Sequence, residues 1–113
     1  MKTRVKGLLM ALFLAVSSTA FAANNWQNNL TIQGIYNVPT GGFLLLLPGG
    51  TDPACGPSAN LFYVLPGQNT VTADGAKAAL SIALTAFTLG KTINILYDNT
   101  IAGCPVQIVW INP

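Results

Sequence analysis

The chain has 113 residues, a formal net charge of +2, only three acidic and five basic residues, and no histidine. A chain this poor in titratable groups lacks the usual parts of general acid–base catalysis, since no imidazole is present to move a proton near neutral pH. Its length and its apolar content of 51% fit one small globular unit.

Residues 1–22 read as a secretory signal. Lys2, Arg4 and Lys6 form a positive start, Gly7 to Val16 an apolar run, and Ala20-Phe21-Ala22 an A-x-A approach to cleavage between Ala22 and Ala23. The apolar run is too short for a membrane-spanning helix, which needs about 20 residues. Cleavage leaves a single domain of about 91 residues, 23–113. Three of the five basic residues leave with the signal, so two lysines face three aspartates and the net charge becomes −1. No histidine, glutamate or arginine remains, and no basic patch for nucleic acid or anionic lipid. The expected location is periplasmic or extracellular.

In chain order, Asn24–Asn29 is amide-rich and reads as a frayed terminus or lead-in, with Trp26 inside it. Leu30 to Tyr36 alternates like a half-buried strand, with Gly34 marking a bulge or bend. Phe43 to Leu47 is five apolar residues between glycine and proline turns, which reads as a strand buried on both faces. The second face calls for a partner subunit. Thr51–Ala59 is a loop around Cys55, and Asn60–Leu65 is a strand.

From Asp74 to Leu89 the period changes to that of a helix, started by Thr72 or Asp74 and ended by Gly90. Its polar residues, Lys77, Ser81, Thr85 and Thr88, form one narrow stripe, which fits either a helix buried on more than one side, as against another subunit, or a slightly apolar amphipathic helix. Lys91–Tyr97 and Val106–Ile111 are the last two strands.

The two cysteines, Cys55 and Cys104, are expected to form one disulfide in an oxidising compartment. They lack the histidine partners of a metal site and the close spacing of a redox pair. The three aspartates follow no calcium-loop spacing, and Pro48-Gly49-Gly50 lacks the lysine of a phosphate loop. No catalytic, cofactor or metal residue is assigned, no cofactor is expected, and catalysis is not expected. Nucleic acid and stable membrane insertion after cleavage are likewise not expected.

The predicted order, β-β-β-α-β-β, is that of an OB-like barrel of five strands. An α+β open sheet with one helix packed on it satisfies the same order. In the barrel the third and fifth strands lie side by side, which would bring Cys55 and Cys104 together.

Phe62-Tyr63-Val64, the segment from Asp74 to Ala86, Gly90-Lys91 before a strand ending at Asp98, and Cys104 before a final strand carry a resemblance. They resemble a family of small exported bacterial proteins with a single disulfide and no established activity. The size, strand order and export are more distantly similar to the receptor-binding B subunits of AB5 toxins. In those pentamers an OB-fold carries a helix that lines a central pore. The chain departs from them in its mid-chain first cysteine and scarcer charge, and no glycan-binding residue carries over.

These features point to a non-catalytic binding or interaction domain. Aromatic faces with amides bind sugars or receptors using few charges. Trp26, in its polar setting, is the candidate ligand contact. The alternative is a self-assembling structural subunit, a homo-oligomer built through the Phe43–Leu47 strand and the 74–89 helix, or an inhibitor of another secreted protein.

Overall fold

The computed structural model describes residues 24–56 and 60–113. The expected signal segment, 1–22, and the expected cleavage site between Ala22 and Ala23 lie outside the described residues. The elements are β1 (Asn24–Leu30), β2 (Gly34–Asn37), β3 (Phe43–Leu46), a short 3-10 turn (Pro53–Cys55), β4 (Leu61–Val64), α1 (Ala73–Leu89), β5 (Ile93–Asp98) and β6 (Val106–Ile111). The strands form two antiparallel three-stranded sheets, ordered β1-β5-β6 and β2-β3-β4.

The expected first strand, Leu30 to Tyr36, is instead two strands in different sheets. Asn24–Asn29 belongs to β1 and is not a frayed lead-in. Asparagine is a poor strand former, yet here β1 pairs along β5 from Asn24↔Asp98 to Leu30↔Ile93. The polar residue Gln27 is accommodated because its side-chain amide donates to the Tyr97 hydroxyl at 2.9 Å. The ladder shifts between Gln27 and Leu30, where Asn29 takes a left-handed φ of 58°. Such a bulge bends the strand. Past the bend, Gln33 N–H donates to Leu46 O and β2 continues along β3.

The inner faces of the two sheets meet in one core. Phe43, Leu45, Leu47, Phe62 and Val64 come from one side, and Leu30, Ile93, Ile95, Tyr97 and Val106 from the other. Phe62 and Tyr97 pack edge to face across it, with ring centroids 5.2 Å apart. The Phe43–Leu47 strand is buried on one face only: Phe43, Leu45 and Leu47 point inward, while Leu44 and Leu46 are half-buried on the other face. Two rows of leucine therefore lie on opposite sides of the pleat, and one core covers one of them.

Helix α1 is capped by Thr72, whose hydroxyl accepts from Gly75 N–H at 3.0 Å, and ends at Gly90 in the left-handed region. It buries a narrow stripe of Ala76, Ala83 and Ala86, flanked by Ala79, Leu80 and Ile82. Small alanines let the helix approach β6 closely. Within the single chain the helix is amphipathic and not buried on several sides, because Leu84, Phe87 and Leu89 are exposed.

The disulfide is present. Cys55 and Cys104 are bonded with their Cα atoms 5.3 Å apart. Strands β4 and β6 approach each other but share no hydrogen-bond ladder among the described residues, so a closed barrel is not formed there. The bond links the turn before β4 to the residue two places before β6, on either side of that seam.

Candidate functional site: an aromatic and amide surface

Alternation along β1, β5 and β6 puts Ile93, Ile95 and Val109 inside and a second set outside. The outer set contains a direct cross-strand row, Trp26↔Leu96↔Ile108, and beside it the pair Asn94↔Trp110. Trp26 is 49% exposed and Trp110 58%. The outer face of this sheet therefore presents two indoles and two aliphatic side chains. Trp26, the residue singled out in the sequence, lies at the surface. Trp110 stands there too, although each aromatic other than Trp26 reads in sequence more simply as packing. The bulge between Leu96 and Tyr97 in the β5–β6 ladder explains why alternation along β6 is hard to read from its residues alone.

One end of this face carries an amide cluster that sequence reasoning missed. Asn94 Oδ1 accepts from Asn29 N–H at 2.9 Å and from Asn112 Nδ2 at 2.8 Å. Asn112 Nδ2 also lies 3.0 Å from Thr92 Oγ1 and 3.4 Å from Asn29 Oδ1. Three asparagines spread over more than eighty positions are brought together by the strand bend at Asn29. Next to it lies a shallow groove of about 550 Å³ lined by Asn29, Thr31, Ile32, Gln33, Pro48 and Gly49.

A second apolar surface is the outer face of β2-β3-β4. Tyr36, Leu44 and Tyr63 are consecutive register partners, as are Gly34, Leu46 and Leu61. The Tyr36 ring lies over Gly34, where an added Cβ would stand 3.2 Å from it. A groove of about 500 Å³ runs between these side chains. A third is the outside of α1, where Leu84 and Leu89 flank Thr85 and Thr88. The stripe hydroxyls turn back onto their own helix: Ser81 donates to Lys77 O, Thr85 to Ser81 O and Thr88 to Leu84 O. Such bonds satisfy the hydroxyl donors without water.

The three aspartates are each engaged locally. Asp52 Oδ1 accepts from Ala54 N–H at 3.0 Å, and Oδ2 accepts from the Tyr97 hydroxyl at 2.7 Å and from Asn99 Nδ2 at 3.4 Å. The Tyr97 hydrogen bond, then the Ala54 amide, hold the Asp52 carboxyl below the usual range. Burial, reinforced by that carboxylate, pushes the Tyr97 phenol up, against the Gln27 hydrogen bond. Asp74 sits in the first turn of α1, where its charge suits the helix dipole. Asp98 is buried and anchors the turn after β5 through Thr100. Among the described residues no three metal-ligating side chains stand together, and no helix is long and apolar enough to cross a membrane.

No protein-family profile, no curated protein and no solved structure matches this chain.

Proposed function

We propose that the protein is a small exported binding domain, without catalysis, that recognises a glycan or glycosylated receptor through the Trp26–Trp110 face. The carrying observation is the exposure of both indoles on one sheet face, bordered by the Asn29, Asn94 and Asn112 amides. Indole faces stack on pyranose C–H bonds, and amides both donate to and accept from hydroxyls. A neutral, ringed, polyhydroxylated ligand fits a face that carries no charged side chain in its central rows.

The OB-like reading is supported by connectivity. Taken together, β1 and β2 act as one interrupted strand that pairs with β5 before the bend and with β3 after it. Counting them once restores the order β-β-β-α-β-β. The B-subunit analogy follows from that order, the single disulfide and the signal. The deciding experiment is a glycan array probed with the oxidised protein. Trp26→Ala and Trp110→Ala should each weaken binding at least tenfold while the melting temperature stays within a few degrees. A folded protein that binds no glycan refutes the reading.

A second reading has its own observation. The half-buried Leu44 and Leu46 and the exposed Leu84 and Leu89 leave apolar area uncovered, and the back-bonded hydroxyls of α1 can enter an interface without losing bonds. These surfaces suit a self-assembling subunit or an inhibitor of a secreted partner. Sedimentation at micromolar concentration separates the cases, since a strict monomer removes the homo-oligomer.

A further inference from the structure

Trp26 and Trp110 share the outer face of one sheet but stand on its two edge strands, with β5 between them. Trp110 also lies one row further along, opposite Asn94, whereas Trp26 lies opposite Leu96. Two strand spacings across and two residues along place their Cα atoms about 12 Å apart. A single pyranose cannot lie on both indoles at that span. The line that joins them crosses β5 between Leu96 and Asn94, an aliphatic side chain on one side and an amide on the other.

The Asn94 amide is held in one orientation. Its Oδ1 accepts from the Asn29 backbone N–H at 2.9 Å and from Asn112 Nδ2 at 2.8 Å. A backbone N–H donates only to an acceptor, so the partner identifies this atom as the amide oxygen. The Nδ2 atom then has two N–H donors, and neither meets an acceptor among the described residues. It is reachable from outside, because Asp98 Oδ2 is the one buried side-chain polar atom without a partner among the described residues. A fixed, unused pair of donors therefore stands between the two indoles.

These groups select a kind of sugar. The indoles call for two pyranose faces turned the same way and separated by a further ring. An unbranched β-1,4-linked chain supplies them, because each ring is turned over relative to the one before it and alternate rings show the same face. The middle ring offers a hydroxyl or acetamido oxygen to the Asn94 donors. No charged side chain stands in these rows, so an uncharged chain complements the face and an anionic one finds no cation there.

We infer that the face takes an internal, unbranched stretch of a neutral β-1,4-linked glycan, with alternate rings on Trp26 and Trp110 and the ring between them held by Asn94 Nδ2. The inference rests on the glycan reading of this face and sharpens it from a sugar to a stretch of chain.

The test is a length series. The oxidised protein is titrated, by tryptophan fluorescence, with β-1,4-linked oligomers of glucose and, in a second arm, of N-acetylglucosamine, from one ring to five. Affinity in at least one arm should rise about tenfold between two rings and three, as the second indole is engaged, and change little beyond. The arm that shows the step tells whether a hydroxyl or an acetamido oxygen meets Asn94. Trp110→Ala should abolish the step and leave the weaker binding of shorter oligomers to Trp26. Asn94→Asp keeps the oxygen that Asn29 and Asn112 donate to and removes both free donors. It should weaken three-ring binding about fivefold while the melting temperature stays within a few degrees. Where Asn94→Asp does not fold, the length series on the parent protein and on Trp110→Ala decides.

Equal affinity for one ring and three, or a step that survives Trp110→Ala, overturns the inference and leaves the glycan reading standing. Binding confined to branched or charged glycans on an array does the same. A folded protein that binds no glycan fails both. A dimer in sedimentation that Trp110→Ala turns into a monomer gives the face to a second copy and also overturns the inference.

Discussion

The Cys55–Cys104 bond joins positions 49 residues apart and stands at the seam where β4 and β6 lie close without a ladder. In the chain-entropy model a loop of that length destabilises the unfolded state by about 4 kcal/mol. A domain of this size holds about 5–15 kcal/mol in all, so the bond supplies a large share of it. Replacing both cysteines, Cys55→Ser with Cys104→Ser, should lower the melting temperature by roughly 15–30 °C, at about 4–8 °C per kcal/mol. Because the effect acts on the unfolded chain, the denaturant slope should rise as the uncrosslinked state exposes more surface. Urea unfolding of both proteins followed by tryptophan fluorescence gives the midpoint and the slope together. A fall of less than about 5 °C would refute the reasoning, because it would mean that the seam is held by packing and that the crosslink is incidental.

Tyr97→Phe removes the donor to Asp52 and the acceptor of Gln27. It should cost about 1 kcal/mol and let the Asp52 carboxyl titrate closer to its ordinary range, as read by NMR of its side-chain carbon. The lowered Asp52 pKa makes its contribution present above the unfolded value of about 3.9 and lost as pH falls through the folded value. The raised Tyr97 pKa makes its contribution present below about 10 and lost as pH rises through the folded value. Thermal scans should therefore show a neutral plateau falling at both ends. Gly42→Ala should prevent native folding, seen as loss of near-ultraviolet circular dichroism. The added Cβ would lie 2.2 Å from Val64 O, and Gly42 holds φ at +86°.

Elements with strong local signals were legible in the sequence. Helix α1 follows from its alanine-rich period, the Thr72 cap and Gly90, and the disulfide from the presence of two cysteines without a histidine partner or a close redox spacing. Strand β1 was not, because its amides hide the alternation: Gln27 points inward on the strength of a hydrogen bond to a residue 70 positions away. The one-sided burial of Phe43–Leu46 was hidden for the opposite cause, since leucine occupies both faces and period alone cannot separate them. Of the candidate surface, Trp26 was visible because its neighbours are polar. The Asn29, Asn94 and Asn112 cluster was not, because it exists only through strand register and one left-handed residue. Asp98 reads in the sequence only as the end of a strand, and its burial was not legible there, because the residues about it, Asn24 and Pro105, come from distant parts of the chain.

The bend at Asn29 also bears on the order of folding. Sheet β2-β3-β4 is a meander whose strands follow one another within residues 34–64, so its contacts close short loops. Strand β1 must instead find β5 across most of the chain. Closing a longer loop costs more entropy before any contact rewards it, and such contacts slow folding. The meander and α1 should therefore form ahead of β1, with φ-values high at Phe62 and low at Leu30. Only three residues separate β1 from β2, so once the meander stands, the last strand to dock is already tethered beside its place.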